Sequence, residues 1–346
     1  MTSEQAELYR LLPELADIAA LQQRAPAMLQ RYDVASIELD GVALPIPVLT
    51  LGSDDPQAPA IGLFGGVHGI ERIGMEVVIA YMQSLVEGLC WSPSLQQQIA
   101  QMHIVIMPLV NPAGVIAKTR CNPRGVDLMR NAPLDADGRV AFLAGGQRIS
   151  RRLPWYRGEK NAPMEIEAQA LCRVVEQHLL GRPFSIALDC HSGYGLKDHI
   201  WFPYAGSKKP FPQAAEVQAL KTLFDRSYPN HSYYDIEPQS RSYTTHGDLW
   251  DYLHARSLQR QGLFLPLTLE MGSWQWVKKN PRQLFRLPHL FNPVLPHRHQ
   301  RILRRHLVLI DFLLRAVHGF QHWLPVAQER DRCKELAYQQ WYSKHE

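Results

Sequence analysis

Residues 60–74 read AIGLFGGVHGIERIG, and this stretch decides the fold. It opens with a dense apolar run, AIGLFGG (60–66), of the kind that makes a strand buried on both faces. The paired glycines Gly65 and Gly66 let the backbone turn tightly. From about 70 to 87, Ile73, Val77, Tyr81 and Leu85 recur every fourth residue, which predicts a helix stopped by Gly88. A buried strand, a tight turn and an amphipathic helix make one α/β unit. His68 stands on its turn and Glu71 in the predicted first helical turn.

The same pattern repeats outward. HIVIMPLV (103–110), SIALDCH (185–191), HIWF (199–202) and GLFLPLTLE (262–270) read as further buried strands. Residues 164–180, 214–227, 247–257 and 298–318 read as helices, the last closed by Gly319. Towards the N-terminus, VASIEL and IPVLTL form a hairpin around Asp40-Gly41. A helix over 4–30 precedes it, interrupted at Pro13 and ended by Pro26. Alternating strands and helices predict an α/β fold with a central mixed, largely buried sheet and helices on both faces. No linker divides the chain. We expect one large domain over 34–290, an N-terminal helical extension over 1–33 and a C-terminal helical extension over 291–346. Residues 132–163 have no clear period, and a loop that long usually serves function.

Composition narrows the function classes. Of 346 residues, 46% are apolar and 20% charged, which excludes disorder and long coiled coil. Thirty-seven Lys and Arg against 33 Asp and Glu leave +4, too small a surplus to argue for a nucleic-acid partner. The five cysteines, Cys90, Cys121, Cys172, Cys190 and Cys333, contain no Cys-x-x-Cys pair and fit a reducing compartment. MTSEQAELYRLLPEL lacks the pattern of a signal peptide, and Asp311 and Arg315 break the apolar stretch 307–317. The expectation is a cytoplasmic protein with no membrane partner. No Gly-Lys-Ser/Thr follows the glycines at 65–66, and no Gly-x-Ser-x-Gly surrounds Ser192, so neither a nucleotide loop nor a serine hydrolase is indicated.

Chemistry-bearing residues fall at strand ends. In open α/β sheets ligands bind outside the carboxyl ends of the strands. His68 and Glu71 follow the first buried strand, and His191 closes SIALDCH. Two imidazoles and a carboxylate reach one cation and leave a position for water, a set that suits zinc. Read singly, they are also rim histidines and a helix-start glutamate favoured by the dipole. Glu270 ends GLFLPLTLE on the same rim, where it is either a general base or a carboxylate capping a loop. KTRCNPRGVDLMRN (118–131) carries three arginines, which bind carboxylates and oxyanions or form a solvated basic loop. The interleaved basic and apolar residues of 297–310 read as the solvated face of a packed helix.

Taken together in this order, these motifs resemble the zinc carboxypeptidases of the carboxypeptidase A type over about residues 45–275. The resemblance implies one zinc ion per chain on His68, Glu71 and His191. It implies Glu270 as the base that activates a zinc-bound water, Arg120 as the group that polarises the scissile carbonyl, and Arg130 as the clamp for the substrate carboxylate. Asp127 would fix the tautomer of His68. THGDLWDY (245–252) resembles the segment ending in the substrate tyrosine, here Tyr252. Met129 stands where the family usually has an Asn that helps bind the carboxylate, with Asn131 or Arg124 as the compensating residue. The implied activity is amide hydrolysis next to a C-terminal residue of a peptide. A deacylase acting on acyl amino acids, of the succinylglutamate desuccinylase/aspartoacylase type, is the second reading. A non-catalytic peptide-binding relative is the third. If Arg256 points into the terminal side-chain pocket, an acidic C-terminal residue is favoured.

Overall fold

This computed structural model describes residues 3–25 and 27–343. Eight strands form one mixed sheet: β1 (Gln30–Leu39), β2 (Val42–Gly52), β3 (Ala60–Gly65), β4 (His103–Met107), β5 (Phe184–Ser192), β6 (Asp198–Phe202), β7 (Tyr234–Pro238) and β8 (Leu263–Met271). Their order is β1-β2-β4-β3-β5-β8-β6-β7. The central strands β4, β3, β5 and β8 run parallel. The hairpin β1–β2 joins them antiparallel on one side, and β6, antiparallel to β8, carries β7 on the other.

Every residue of β3, β4 and β5 is buried, because helices cover both faces of the sheet. Leu63, Ile186 and Leu267 belong to the core on one face, shared with Val78 of the helix Arg72–Trp91 and Leu313 of the helix Pro296–His318. Phe64, Val105 and Ala187 point the other way, against Leu171 and Val175 of the helix Ile166–His178. Side chains alternate across a strand. Leu188, Cys190, Leu267 and Leu269 therefore take the first face, while Asp189, His191, Thr268 and Glu270 share the second with Ala187 and Phe264. Leu15 and Ile18 of the helix Pro13–Arg24 join the first core, so both terminal segments pack on the sheet.

Several expectations change in detail. The long N-terminal helix is two, Ser3–Leu11 and Pro13–Arg24, and β1 already begins at Gln30; Pro26 lies outside the described residues. The helix after β3 runs through Gly88 to Trp91. Gly88 serves packing rather than termination, since a Cβ there would lie 2.8 Å from the Leu95 side chain of the next helix. Although apolar enough in composition to cross a membrane, this helix buries 67% of its apolar window within the protein. The edge strand β7 was not expected. At Asp40 and Gly41 φ is 51° and 80°, as a two-residue hairpin turn requires.

Burial of histidines gives the fold a pH signature. His254, on the helix Leu249–Ser257, is fully buried against Phe211 and hydrogen-bonds Gln213 at 2.7 Å. Burial pushes its pKa down to about 4. The unfolded chain, with the ordinary value of about 6.5, binds the extra proton first as pH falls. Stability from neutral His254 is thus complete above pH 6.5 and is lost between about 6.5 and 4. We expect the stability advantage of the parent over His254→Asn, from urea midpoints, to be flat above pH 6.5. It should shrink by at most about 3 kcal/mol on acidification to pH 4. A pH-independent difference would contradict this.

Candidate active site

The carboxyl ends of β3, β5 and β8 converge on a cavity of about 410 Å³ lined by His68, Glu71, His191 and Glu270 among others. After β3 the chain reverses at Gly66, φ 67°, and places His68 and Glu71 under the start of the helix Arg72–Trp91. Glu71 is the residue before that helix, which starts at Arg72 and not near 70, so Glu71 stands at the N-cap of the first turn and does not lie within it. Gly74 lets the helix approach β5 closely, because a Cβ there would lie 2.1 Å from the carbonyl oxygen of Cys190. That contact brings Glu71 beside His191: Glu71 Oε2 lies 3.0 Å from His191 Nδ1 and accepts from Ser192 N at 3.1 Å.

His68, Glu71 and His191 are all buried, and one ligand atom from each falls within 4.8 Å of the others. Two imidazole nitrogens and a carboxylate oxygen are a donor set that zinc takes at about 2.0–2.2 Å. The outward ring nitrogens are already held. His68 Nδ1 lies 3.3 Å from the Arg120 carbonyl and 3.8 Å from Asp127, and His191 Nε2 lies 2.7 Å from Asp189 Oδ2. Each ring therefore turns its other nitrogen inward, the orientation that a metal-binding histidine needs. The residues fit zinc.

The electrostatics agree. Burial of Glu71 favours its neutral form, but His68, His191 and Arg120 outweigh it and hold the pKa at about 2. Burial and the Arg120 charge lower His68 to about 4, so it is a neutral donor at physiological pH. Burial opposes a charged His191, yet Asp189 and Glu71 raise its pKa well above the ordinary value, so an ion bound there would displace the Nδ1 proton shared with Glu71. Arg120 donates to Glu71 Oε1 and Asp127 Oδ2, both at 2.8 Å. Against the cost of its own burial, Asp127 is held below the usual carboxylate range by Arg120 and His68.

Glu270 pairs with His191 across the β5–β8 ladder, so register sets the carboxylate and the imidazole side by side. Its Oε1 accepts from Tyr194 N at 2.9 Å. Burial and the nearby Glu71 charge raise its pKa to about 8. Arg130 is buried, lines the same cavity, and anchors through Nε to Ala144 O at 3.2 Å and through a guanidinium nitrogen to Met129 O at 3.1 Å.

Two expected substrate contacts are displaced. Asn131 does not line the cavity; its amide donates to Arg157 O at 2.9 Å and accepts from Glu165 N at 2.6 Å, which spends it on holding the loop. Tyr252 lies on the helix Leu249–Ser257, away from the cavity, beside Arg256. Two tyrosines line the cavity, Tyr194 and Tyr243, the latter with Arg130 6.0 Å from its ring centre. The signal was present: His246-Gly247-Asp248 marks a helix start, so a tyrosine before it lies on the rim and one after it lies in the helix. Arg256 points outward to an ion pair with Glu176 and Arg124 approaches Glu165, so neither reaches the cavity. Sequence reasoning also missed Asp189 and Trp250, whose Nε1 donates to Asp189 Oδ2 at 3.0 Å. The loop 132–163 supplies one wall through Ala141, Ala144 and Trp155.

The family model described as zinc carboxypeptidase matches residues 15–280. Carboxypeptidase E of Caenorhabditis elegans is 25% identical over 231 residues, which cover 61% of this chain and 45% of that protein. The chain thus spans less than half the length of that curated relative. The crystal structure of thrombin activatable fibrinolysis inhibitor aligns with a TM-score of 0.66 at 19% identity, covering 89% of this chain and 74% of that one. Carboxypeptidase A from Helicoverpa armigera aligns at 0.62 and 15% identity, covering 87% and 71%. These two likenesses show the fold.

The Asp189 contact makes a direct prediction. Asp189→Asn removes the carboxylate that orients His191 while preserving shape. Zinc affinity, measured by competition with a chelator, should fall about 10–100-fold. Unchanged affinity would show that Asp189 does not orient the ligand.

Proposed function

The chain belongs to the zinc carboxypeptidase family, and from that premise we propose that it is a zinc-dependent carboxypeptidase, hydrolysing the amide bond before the C-terminal residue of a short peptide. The observation that carries the reading is the shared cavity: a His68–Glu71–His191 group, the Glu270 carboxylate beside it, and the buried Arg130 guanidinium. His68, Glu71 and His191 would hold the ion. Bound there, zinc supplies Lewis acidity, which acidifies a water molecule and polarises a carbonyl.

The remaining work belongs to the chain's own groups. Glu270 accepts the proton of the attacking water and passes it to the leaving nitrogen; the β5–β8 ladder sets its carboxylate beside His191 for both transfers. Arg120, held in place by Glu71 and Asp127, aims positive charge at the carbonyl oxygen that becomes negative. Arg130 pairs with the terminal carboxylate of the substrate, with apolar Met129 beside it in the wall. Tyr243, kept protonated by burial, offers a hydroxyl to the substrate.

For the terminal side chain the cavity provides Asp248, Gln239, Ser242 and Thr268. Asp248 uses Oδ1 to cap the following helix, accepting from Trp250 N and Asp251 N, both at 2.9 Å. A carboxylate there favours a cationic or hydrogen-bonding terminal residue, against the acidic preference that an inward Arg256 would have given.

Three outcomes are expected. Glu270→Gln lowers kcat by about 10²–10⁴-fold while zinc content by elemental mass spectrometry is unchanged; near-normal turnover on a verified peptide sinks the mechanism. Tyr243→Phe lowers kcat/KM by about tenfold, the loss of one hydrogen bond, whereas Tyr252→Phe leaves it unaltered. Peptides ending in lysine are cleaved faster than those ending in glutamate, and Asp248→Asn, which keeps a good cap, narrows the gap. Cleavage of acyl amino acids with no cleavage of peptides would replace this reading with the deacylase one.

A further inference from the structure

Behind the catalytic cavity lies a second concavity of about 430 Å³, lined in part by Lys197, Lys279, His297, Arg298, Arg301 and Arg305. The short helix Trp274–Lys279 separates the two, since Trp274 lines the first cavity and Trp276 the second. We propose that this concavity is a binding site for a small phosphate-bearing anion with two or more negative charges.

The cavity carries uncompensated positive charge. Five Lys and Arg side chains line the cavity against one carboxylate, Asp198. Asp198 is already spent: Oδ1 accepts from Gly272 N at 2.9 Å and Oδ2 pairs with Arg305 at 2.6 Å. Lys197 leans out to Asp235 at 3.3 Å. Among the described residues no carboxylate forms an ion pair with Lys279, Arg298 or Arg301. The other polar lining groups, Ser232, Tyr233 and Gln275, can all donate hydrogen bonds.

The backbone reinforces the sign. His297, Arg298 and Arg301 occupy the first two turns of the helix Pro296–His318, the end where a helix favours anions and cations are unfavourable. No acidic residue stands in that first turn, and the preceding Leu295 provides no side-chain cap. An anion in the cavity pairs with the guanidinium forks beside that helix start. Arginine forks spaced along one helix face match a ligand with adjacent phosphate groups better than a single-charge anion. The size lies in the range of small-molecule sites. Arg298 also donates to Trp276 O at 3.2 Å, so an occupant bears on the segment that carries Trp274.

The test titrates inorganic pyrophosphate into the zinc-loaded protein by calorimetry, with His68→Ala protein as a second sample because pyrophosphate also chelates zinc. Saturable binding is expected in both samples. Lys279→Glu combined with Arg301→Glu, at exposed positions, should weaken it at least tenfold with the fold retained by circular dichroism. The milder Arg301→Gln should weaken it about threefold. Inorganic phosphate should bind more weakly than pyrophosphate. The proposal is overturned if neither sample binds, if His68→Ala abolishes binding, or if the charge-reversed protein binds as tightly as the parent.

Discussion

Glu71 is a carboxylate almost wholly removed from water, and the catalytic end of the molecule is arranged around satisfying it. A buried charge is costly unless paired and hydrogen-bonded. One oxygen receives Arg120; the other receives Ser192 N and lies beside His191 Nδ1. Each of those partners is itself fixed, Arg120 by Asp127 and His191 by Asp189. The helix that Glu71 precedes reaches this position only because Gly74 presents no side chain to β5. The result is a site of negative charge and inward imidazole nitrogens, stiff enough to hold donors at metal-binding spacing before any ion arrives.

Much of this was legible in the sequence because burial writes strongly into composition. Strands covered on both faces must be continuous apolar runs, so β3, β4, β5 and β8 stood out, and polar residues at their carboxyl ends marked the rim. β7 did not, since its residues are mostly half-buried at the sheet edge and carry no run to read. Asp189 was hidden by the same strength of signal: inside SIALDCH it looked like one exception in a core strand, although alternation sets it on the face of His191. The end of the motif points to Tyr252, whereas the side of the helix cap decides which tyrosine lies at the cavity.

The loop 132–163 shows how a segment without periodicity is organised by its neighbours. Asp127 N donates to Tyr156 O at 2.8 Å, and Arg157 reaches Arg130 O at 3.2 Å and Leu134 O at 3.0 Å. Gly247, with φ 68°, packs so closely that a Cβ would lie 2.0 Å from the Arg130 carbonyl oxygen. The loop, the Arg130 turn and the strip carrying Tyr243 are thus one assembly. Asn131 belongs to its framework, which explains why a polar residue so near the cavity does not face it.

The pairing of His191 with Glu270 has a consequence for how such a chain tolerates change. Their spacing is stored in the ladder between two strands and not in the length of chain joining them. Insertions in the intervening surface segments leave both side chains where they are. Deleting a single residue inside β8 ahead of Glu270, by contrast, moves the alternation by one and offers Met271 in its place. The molecule is therefore permissive towards growth in its connections and brittle to a one-residue slip within its central strands, a difference that a deletion scan reads directly.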